Sequence, residues 1–440
     1  MVEVVYKPRK PKASPLYQSI SEHFSEFESV YEERYQNKYR VLREVVREVV
    51  YKYLGCGDLR KGFARIKCKD CKHEILLAFS CKGRYFCPSC HQKRVLMFGE
   101  WITENILYPL PHRQYVFTLP KMLRPYFRFN RKLLGKLSQC AYQSLKEFFQ
   151  KTLNRKKAMP GVVVSIQTFG DLVNFHPHLH CLVTDGCFMA NDWFYVLPEI
   201  DVKKLESLFR HKVLKLLLSE KRISEELVEK LLSWKNSGFS VHNQVKIKSR
   251  DRRGRESLAQ YILRSPFSLE KMTYQQHTKT VLYRSKINPF LKKNFAVFPV
   301  LDWIATLTTH IPNKGEQLIR YYGYYSNVSR GKRKKEKPEE KTEIIEIDAP
   351  PLSKELKKRW SYFIRKVYET DPLTCPKCPG EMRIISFIDQ PDVIQKILEH
   401  LGLWEESQAP LARDPPVKEL TFDPSYSLSQ RLIRLRWKLI

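Results

Sequence analysis

Apolar residues recur at helical spacing through residues 26–54, where Phe27, Val30, Tyr31, Tyr35, Leu42, Val45, Val46, Val49 and Val50 sit among charged positions. Gly55-Cys56-Gly57-Asp58 stops that pattern. Residues 1–25 ahead of it read as a flexible arm. Residues 113–119 read as a strand, and residues 125–150 as a basic helix carrying Leu133, Leu134, Leu137, Ala141, Leu145 and Phe148. A second strand is expected at 161–169. After a short turn containing Gly170 and Asp171, a third follows at 174–183. So short a link between two strands predicts an antiparallel hairpin. Residues 201–218 and 224–234 repeat Leu at three- and four-residue intervals and read as helices. Residues 239–247 alternate as a strand, and 250–255 form a basic loop. Residues 256–264 read as a helix that ends before Pro266, and 298–310 as another. Strand, helix, strand, strand predicts an α+β fold with helices on one face of an antiparallel sheet.

The third strand holds the densest chemistry in the chain. In Asn174-Phe175-His176-Pro177-His178-Leu179-His180-Cys181-Leu182-Val183, three of the twelve histidines occupy alternate positions. Side chains of a strand alternate faces, so His178 and His180 present two imidazoles side by side while Leu179 turns away. Imidazole is the commonest protein ligand for a divalent metal. Pro177 has no N–H for a ladder, which places His176 at the strand entrance.

The eleven cysteines are grouped. Cys68-Lys69-Asp70-Cys71 and Cys87-Pro88-Ser89-Cys90 stand fifteen residues apart, a spacing that predicts one zinc site built from Cys68, Cys71, Cys87 and Cys90. Cys56, Cys81, His73 and His91 lie close enough in sequence to replace one of them. Arg60, Lys61, Arg65, Lys67, Lys72, Lys82, Arg84, Lys93 and Arg94 surround the knuckles, so this module is expected to grip phosphates. A third pair, Cys375-Pro376-Lys377-Cys378, is half a zinc site, and structural and metal-free readings of it are both open.

Composition narrows the partners. The 440 residues leave room for two or three domains, and the 42% apolar share argues against wholesale disorder. A net charge of +31, from 78 Lys+Arg against 47 Asp+Glu, points to a polyanion, with nucleic acid ahead of a membrane surface. No run of eighteen apolar residues predicts a span, and the N-terminal residues have no apolar core of a secretion signal. A cytoplasmic location with reduced thiols follows. Residues 329–343 read as a charged linker. They divide the chain into an arm and helix (1–54), a zinc module (55–100), a large α+β domain (101–328), the linker (329–351) and a C-terminal segment (352–440) containing Trp360, Phe363 and Val367.

A metal held by two histidines keeps open positions for the oxygens of a phosphodiester. No G-x-x-x-x-G-K-[ST] phosphate loop is present, so a reaction that stores bond energy in a covalent intermediate suits the chain. Tyr261 is the candidate nucleophile, flanked by Arg264 and the basic loop. Tyr321, Tyr322, Tyr324 and Tyr325 are rivals whose role is otherwise base stacking or core packing.

The order of cysteine knuckles, His178-Leu179-His180 and Tyr261 resembles the rolling-circle insertion-sequence transposases of the His-hydrophobic-His (HUH) endonuclease superfamily. The phrases Ser80-Cys81-Lys82-Gly83-Arg84, Phe86-Cys87-Pro88-Ser89-Cys90, Tyr261-Ile262-Leu263-Arg264, His310-Ile311-Pro312-Asn313 and Tyr321-Tyr322-Gly323 carry the resemblance over most of residues 50–405. It implies an RRM-like antiparallel sheet and a nick of single-stranded DNA that depends on Mg²⁺ or Mn²⁺. It also implies a 5′-phosphotyrosine intermediate and strand transfer. Two-tyrosine members carry a second tyrosine four residues after the first. Here that residue is Ser265, so the chain resembles the single-tyrosine branch. Gln167 and His112 are candidates for a third metal ligand. The competing readings are a non-catalytic zinc-finger DNA-binding protein derived from a mobile element, and a plasmid-type relaxase or replication initiator.

Overall fold

The computed structural model describes residues 11–189, 193–234, 237–287, 294–336, 374–378 and 380–404. Two compact units divide the chain, Met1–Ile394 and Gln395–Ile440. The features below belong to the first. Of the second, residues 395–404 are described, chiefly as the end of a helix. Trp360, Phe363, Val367 and residues 411–440 lie outside the described residues, as does the linker beyond residue 336.

In chain order the elements begin with α1 (Pro15–Arg34), α2 (Gln36–Tyr39), α3 (Glu44–Leu54), β1 (Phe63–Cys68), β2 (Glu74–Ala78) and α4 (Pro88–Asn105). Next come β3 (His112–Thr118), α5 (Arg124–Phe129), α6 (Lys132–Thr152), β4 (Gly161–Phe169) and β5 (Phe175–Thr184). β6 (Gly186–Phe188), β7 (Phe194–Val196), α7 (Val202–Ser219), α8 (Glu225–Ser233), β8 (Ser240–His242), β9 (Lys246–Ile247) and α9 (Arg252–Ile262) follow. The remainder is β10 (Met272–Gln275), β11 (Thr280–Arg284), β12 (Phe295–Pro299), α10 (Val300–Thr308), β13 (Ile319–Gly323), α11 (Asn327–Glu336), β14 (Met382–Ile388) and α12 (Pro391–His400).

Where it is described, from residue 11, the expected flexible arm is largely helix. Ser14 caps α1 by accepting from Tyr17 N–H, and Pro15 occupies its first turn. Leu16, Ile20, Phe24, Phe27 and Tyr31 then form one buried stripe that begins ten residues before the predicted start. That stripe packs with α3, α10 and the β10–β11–β12 sheet around Trp303, Ile304, Val281 and Tyr283. The basic loop is shorter than expected for a similar reason. Asp251 accepts from Gly254 N–H at 2.8 Å, and this cap starts α9 at Arg252. The single helix expected over 125–150 is two, because the chain turns at Asn130, whose Oδ1 accepts from Lys132 N–H. The charged segment expected as linker from residue 329 begins as the helix α11.

The large sheet is antiparallel throughout, in the order β13-β4-β5-β3-β8, with β9 also on β3. β4 and β5 do form the predicted hairpin. Helices cover both faces, not one. Leu179, Cys181 and Val183 of β5 and Val162, Val164 and Ile166 of β4 meet Leu134, Leu137, Ala141 and Leu145 of α6 and Phe209 and Val213 of α7. Val163 and Leu182 point the other way, against Ile102 of α4 and Leu258, Ala259 and Ile262 of α9. The burial of β4 at all nine positions follows from this double cover. The interior of the sheet is therefore a buried place for polar side chains, and those it holds must be explained.

Candidate functional site

His178 and His180 lie on the α9 face of β5, opposite Gln167 and Ser165 of β4 and Thr118 and Val116 of β3. Pro177 lies within β5 and does not end it. The β4–β5 register shifts between Gln167 and Phe169, and this bulge accommodates a residue with no N–H. The strand therefore aligns His176, His178 and His180, with neighbouring ring centroids 5.2 and 4.9 Å apart.

Each ring is prepared differently. Nδ1–H of His178 donates to the His176 carbonyl at 2.8 Å, which leaves Nε2 with a free lone pair. Gln114 Nε2 of β3 lies 2.7 Å from His180 Nδ1. As a donor, the amide makes Nδ1 the acceptor. Turned over, it accepts Nδ1–H through Oε1 and frees Nε2 for a metal. Nε2 of His180 is buried without a hydrogen-bond partner among the described residues, as is Nε2 of His176. Burial holds all three rings neutral, pulling His176 down to about 3, His178 to about 4 and His180 to about 2. A neutral imidazole is the ligand form. Burying such nitrogens without partners costs free energy, and a metal ion on them would offset it.

Tyr261 and Arg264 come to the same place. The Tyr261 ring stands edge-on to His180 with centroids 5.6 Å apart, yet it is 45% exposed. The Arg264 guanidinium lies 4.9 Å from the Tyr261 ring centre and 5.6 Å from that of Phe169. The end of α9 is pinned from two sides. The Ile262 carbonyl accepts from Ser165 Oγ at 2.6 Å and Gln167 Nε2 at 2.8 Å. The Leu263 carbonyl accepts from His91 Nε2 at 2.8 Å, while His91 Nδ1 accepts from Tyr85 N–H. His91 is thereby occupied as a brace between α4 and α9 and is not a zinc ligand. Sequence reasoning missed Gln114 and read His91 only as a substitute zinc ligand. Neither carries a motif, and each is found only through its partner in space. α9 ends at Ile262, so Ser265 lies beyond it.

The two guesses at a third ligand separate. Gln167 borders the site, but its amide serves Ile262, and its oxygen accepts from Arg264 Nε at 3.4 Å. His112 pairs with Thr184 at the other end of β5, and its two nitrogens engage the Leu110 carbonyl and the Tyr325 hydroxyl. It is far from His178 and His180. Of the rival tyrosines, Tyr324 and Tyr325 are buried, Tyr324 stacked on Phe188. Tyr322 stacks on Tyr142 and bonds Ser138. These three serve packing, whereas Tyr321 remains half-buried beside the exposed Trp101.

The predicted zinc tetrad is not one site. Cys87 and Cys90 join Cys56 and Cys81, whereas Cys68 and Cys71 meet Cys375 and Cys378. The pairing by sequence distance failed because β1 and β2 carry the Cys68–Cys71 knuckle away from the start of α4, where Cys87 and Cys90 lie. In the first group the sulfurs of Cys56 and Cys90, Cys81 and Cys90, and Cys56 and Cys87 are 3.7, 3.6 and 3.7 Å apart. Four thiolates about 2.3 Å from one tetrahedral zinc lie about 3.8 Å from one another, so this donor set fits zinc. Hydrogen bonds from the neighbouring thiols, Cys81 first, pull Cys56 down to about 7. Among the described residues only these two groups bring three or more Cys, His, Asp or Glu ligand atoms together.

Comparison with known proteins agrees with this layout. Residues 26–119 match a family model described as a transposase zinc-binding domain, and residues 161–333 match one described as "Putative transposase". The first spans the Cys56–Cys90 group, and the second spans the histidine strand and Tyr261. The chain is 27% identical over 348 residues to the transposase for insertion sequence element IS801 of Pseudomonas savastanoi pv. phaseolicola, covering 76% of this chain and 82% of that protein. It is 30% identical over 151 residues to transposase y4qJ of Sinorhizobium fredii, covering 32% of this chain and 36% of that protein. No solved structure matches. These matches support an insertion-sequence transposase with a zinc-binding domain. No helix among the described residues is long and apolar enough to cross a membrane.

Proposed function

We propose that this transposase nicks and transfers single-stranded DNA at element ends with Tyr261 as nucleophile, by the HUH-type chemistry of a single-tyrosine enzyme. The observation that carries the reading is the contact between the Tyr261 ring and His180, whose Nε2 is buried and unpartnered. His178 and His180 would hold a divalent metal, Mg²⁺ or Mn²⁺. When bound, such an ion supplies Lewis-acid stabilisation of phosphoryl charge.

The remaining work falls to the chain. Oη of Tyr261 attacks phosphorus, and the bond from phosphorus to the 3′ oxygen breaks. The phenol loses its proton to solvent, and the leaving 3′ oxygen gains one. The product is a 5′-phosphotyrosine ester and a free 3′ hydroxyl. Attack by a 3′ hydroxyl on that ester reverses the bonding change and joins the strand to a new end, with no external energy source. Arg264 stands where it can pair with the phosphate, and its charge favours a developing phenolate. Ser165, Gln167 and His91 fix the end of α9 and so the direction of the phenol. The exposure of Tyr261 beside buried histidines suits a site that admits an unpaired strand from solvent.

The test is a covalent adduct. Labelled single strands carrying candidate element ends, incubated with protein and Mn²⁺, are expected to migrate with the protein on a denaturing gel. Tyr261→Phe is expected to abolish the adduct while retaining DNA binding, and His178→Ala with His180→Ala to reduce it to background. Adduct formation by Tyr261→Phe would refute the nucleophile. Binding without cleavage by the parent protein over a range of strands and metals would favour the non-catalytic zinc-finger reading.

A further inference from the structure

We propose that Cys68, Cys71, Cys375 and Cys378 bind a second structural zinc, which clasps the strand β14 onto the zinc module from about 300 residues further along the chain. This rests on cysteine geometry alone and stands whether or not Tyr261 is a nucleophile. Neither family match reaches residues 374–388.

The four ligand atoms lie within 4.8 Å of one another. The sulfurs of Cys68 and Cys378, and of Cys71 and Cys375, are each 3.5 Å apart, close to the spacing of a tetrahedral four-thiolate zinc site. The surrounding backbone is shaped for it. Lys377 N–H donates to Cys375 Sγ, and Cys375 N–H donates to the Gly380 carbonyl. On the other knuckle, Cys68 N–H donates to the His73 carbonyl, and Lys69 N–H donates to the Glu381 carbonyl. Gly380 is required at this approach, since a Cβ there would lie 2.1 Å from Asp70 Oδ2 and 3.1 Å from Cys68 Sγ.

What the site holds is poorly held otherwise. β14 is the edge of the β14-β1-β2 sheet, with register from Phe63 opposite Ile388 to Cys68 opposite Met382. The core beneath it has few buried residues, Ala64, Ile66, Cys68, Cys375 and Met382, and the outer side chains Ile385 and Phe387 are exposed. Closing a loop of this length against so small a core is the situation in which small modules rely on a metal. The two tetrads also differ in access. Cys56 and Cys87 are buried against a large core, whereas Cys71 is exposed. The second ion is therefore the one a chelator reaches first.

Zinc analysis of the full-length protein is expected to give two ions per chain, and Cys375→Ser with Cys378→Ser one. A chromogenic chelator is expected to remove zinc in two phases of equal amplitude. In the fast phase, amide exchange of residues 382–388 rises at least tenfold while β4 and β5 stay protected. If the double variant fails to fold, chelation of the parent protein gives the same reading. One zinc per chain in the parent, two in the double variant, or protection of residues 382–388 after the first ion has left would each overturn the assignment.

Discussion

Replacing Gln114 by Leu removes the side-chain hydrogen bond that orients His180. Gln114 is 5% exposed on β3, and its amide is 2.7 Å from His180 Nδ1. Leucine fills a similar volume but offers no polar atom, so the ring loses its partner and Nδ1 is left buried and unpaired. An unmade buried hydrogen bond costs about 1–3 kcal/mol, a loss the fold should survive. The larger consequence is for metal. Groups that hold the far nitrogen of a ligating histidine typically contribute about 10–100-fold to metal affinity. The half-saturating Mn²⁺ concentration for adduct formation should therefore rise by about that factor, with most of the adduct recovered at high Mn²⁺. Gln114→Glu, which keeps an acceptor for Nδ1–H, should fall between the parent and the Leu variant. DNA binding in EDTA should be unchanged in both. A folded Gln114→Leu protein with the parent's Mn²⁺ dependence would refute the claim that His180 Nε2 is a metal ligand.

Other outcomes follow from the same coordinates. His91→Leu cuts the tie from α4 to the Leu263 carbonyl, so adduct formation should slow severalfold at every Mn²⁺ concentration, with the half-saturating concentration unmoved. A changed metal dependence would contradict its role as a brace. Trp303→Ala, at a fully buried ring against Tyr283 and Phe298, should cost about 3–5 kcal/mol in urea unfolding. Acid should destabilise the fold through its buried histidines. His310, held by Thr168 and Val173, is pushed down to about 4 by burial, against about 6.5 when unfolded. Above pH 6.5 the ring is neutral in both states and has no effect. Between about 6.5 and 4 only the unfolded chain takes the proton, and stability falls by about 1.4 kcal/mol per pH unit. The urea midpoint should drop across that window, less steeply in His310→Gln. An identical slope in the variant would contradict the assignment.

The parts of the fold that were legible in the sequence are those with a strict period and one dominant environment. β4 and β5 were readable because nearly all of their residues are buried, and the Leu-rich α7 because its buried residues keep a strict helical spacing. The first half of the helix at Pro15–Arg34 was missed because its stripe, Leu16 to Tyr31, is diluted by Ser, Glu and His, and its burial depends on Trp303 and Val281 far along the chain. Placing helices on one face of the sheet was an error of the same kind. The three consecutive valines at the start of β4, Val162 to Val164, already asked for cover on both sides. In the candidate site, His178, His180, Tyr261 and Arg264 were named from motif and spacing. Their union depends on α9 being tied to β4 through Ser165 and Gln167, a contact that no local pattern encodes. The cysteines failed differently. Proximity in sequence suggested one tetrad, whereas the chain returns after residue 374 to complete a second.

The nucleophile is identified by finding the nucleotide on the protein. Trypsin acting after Arg255 and Arg264 releases residues 256–264, a peptide with Tyr261 as its one tyrosine and separate from Tyr321–Tyr325. After reaction with single-stranded DNA and Mn²⁺, followed by nuclease trimming, mass spectrometry should show this peptide carrying a 5′-linked nucleotide on Tyr261. A nucleotide on the peptide that contains Tyr321, or on another residue, would contradict it.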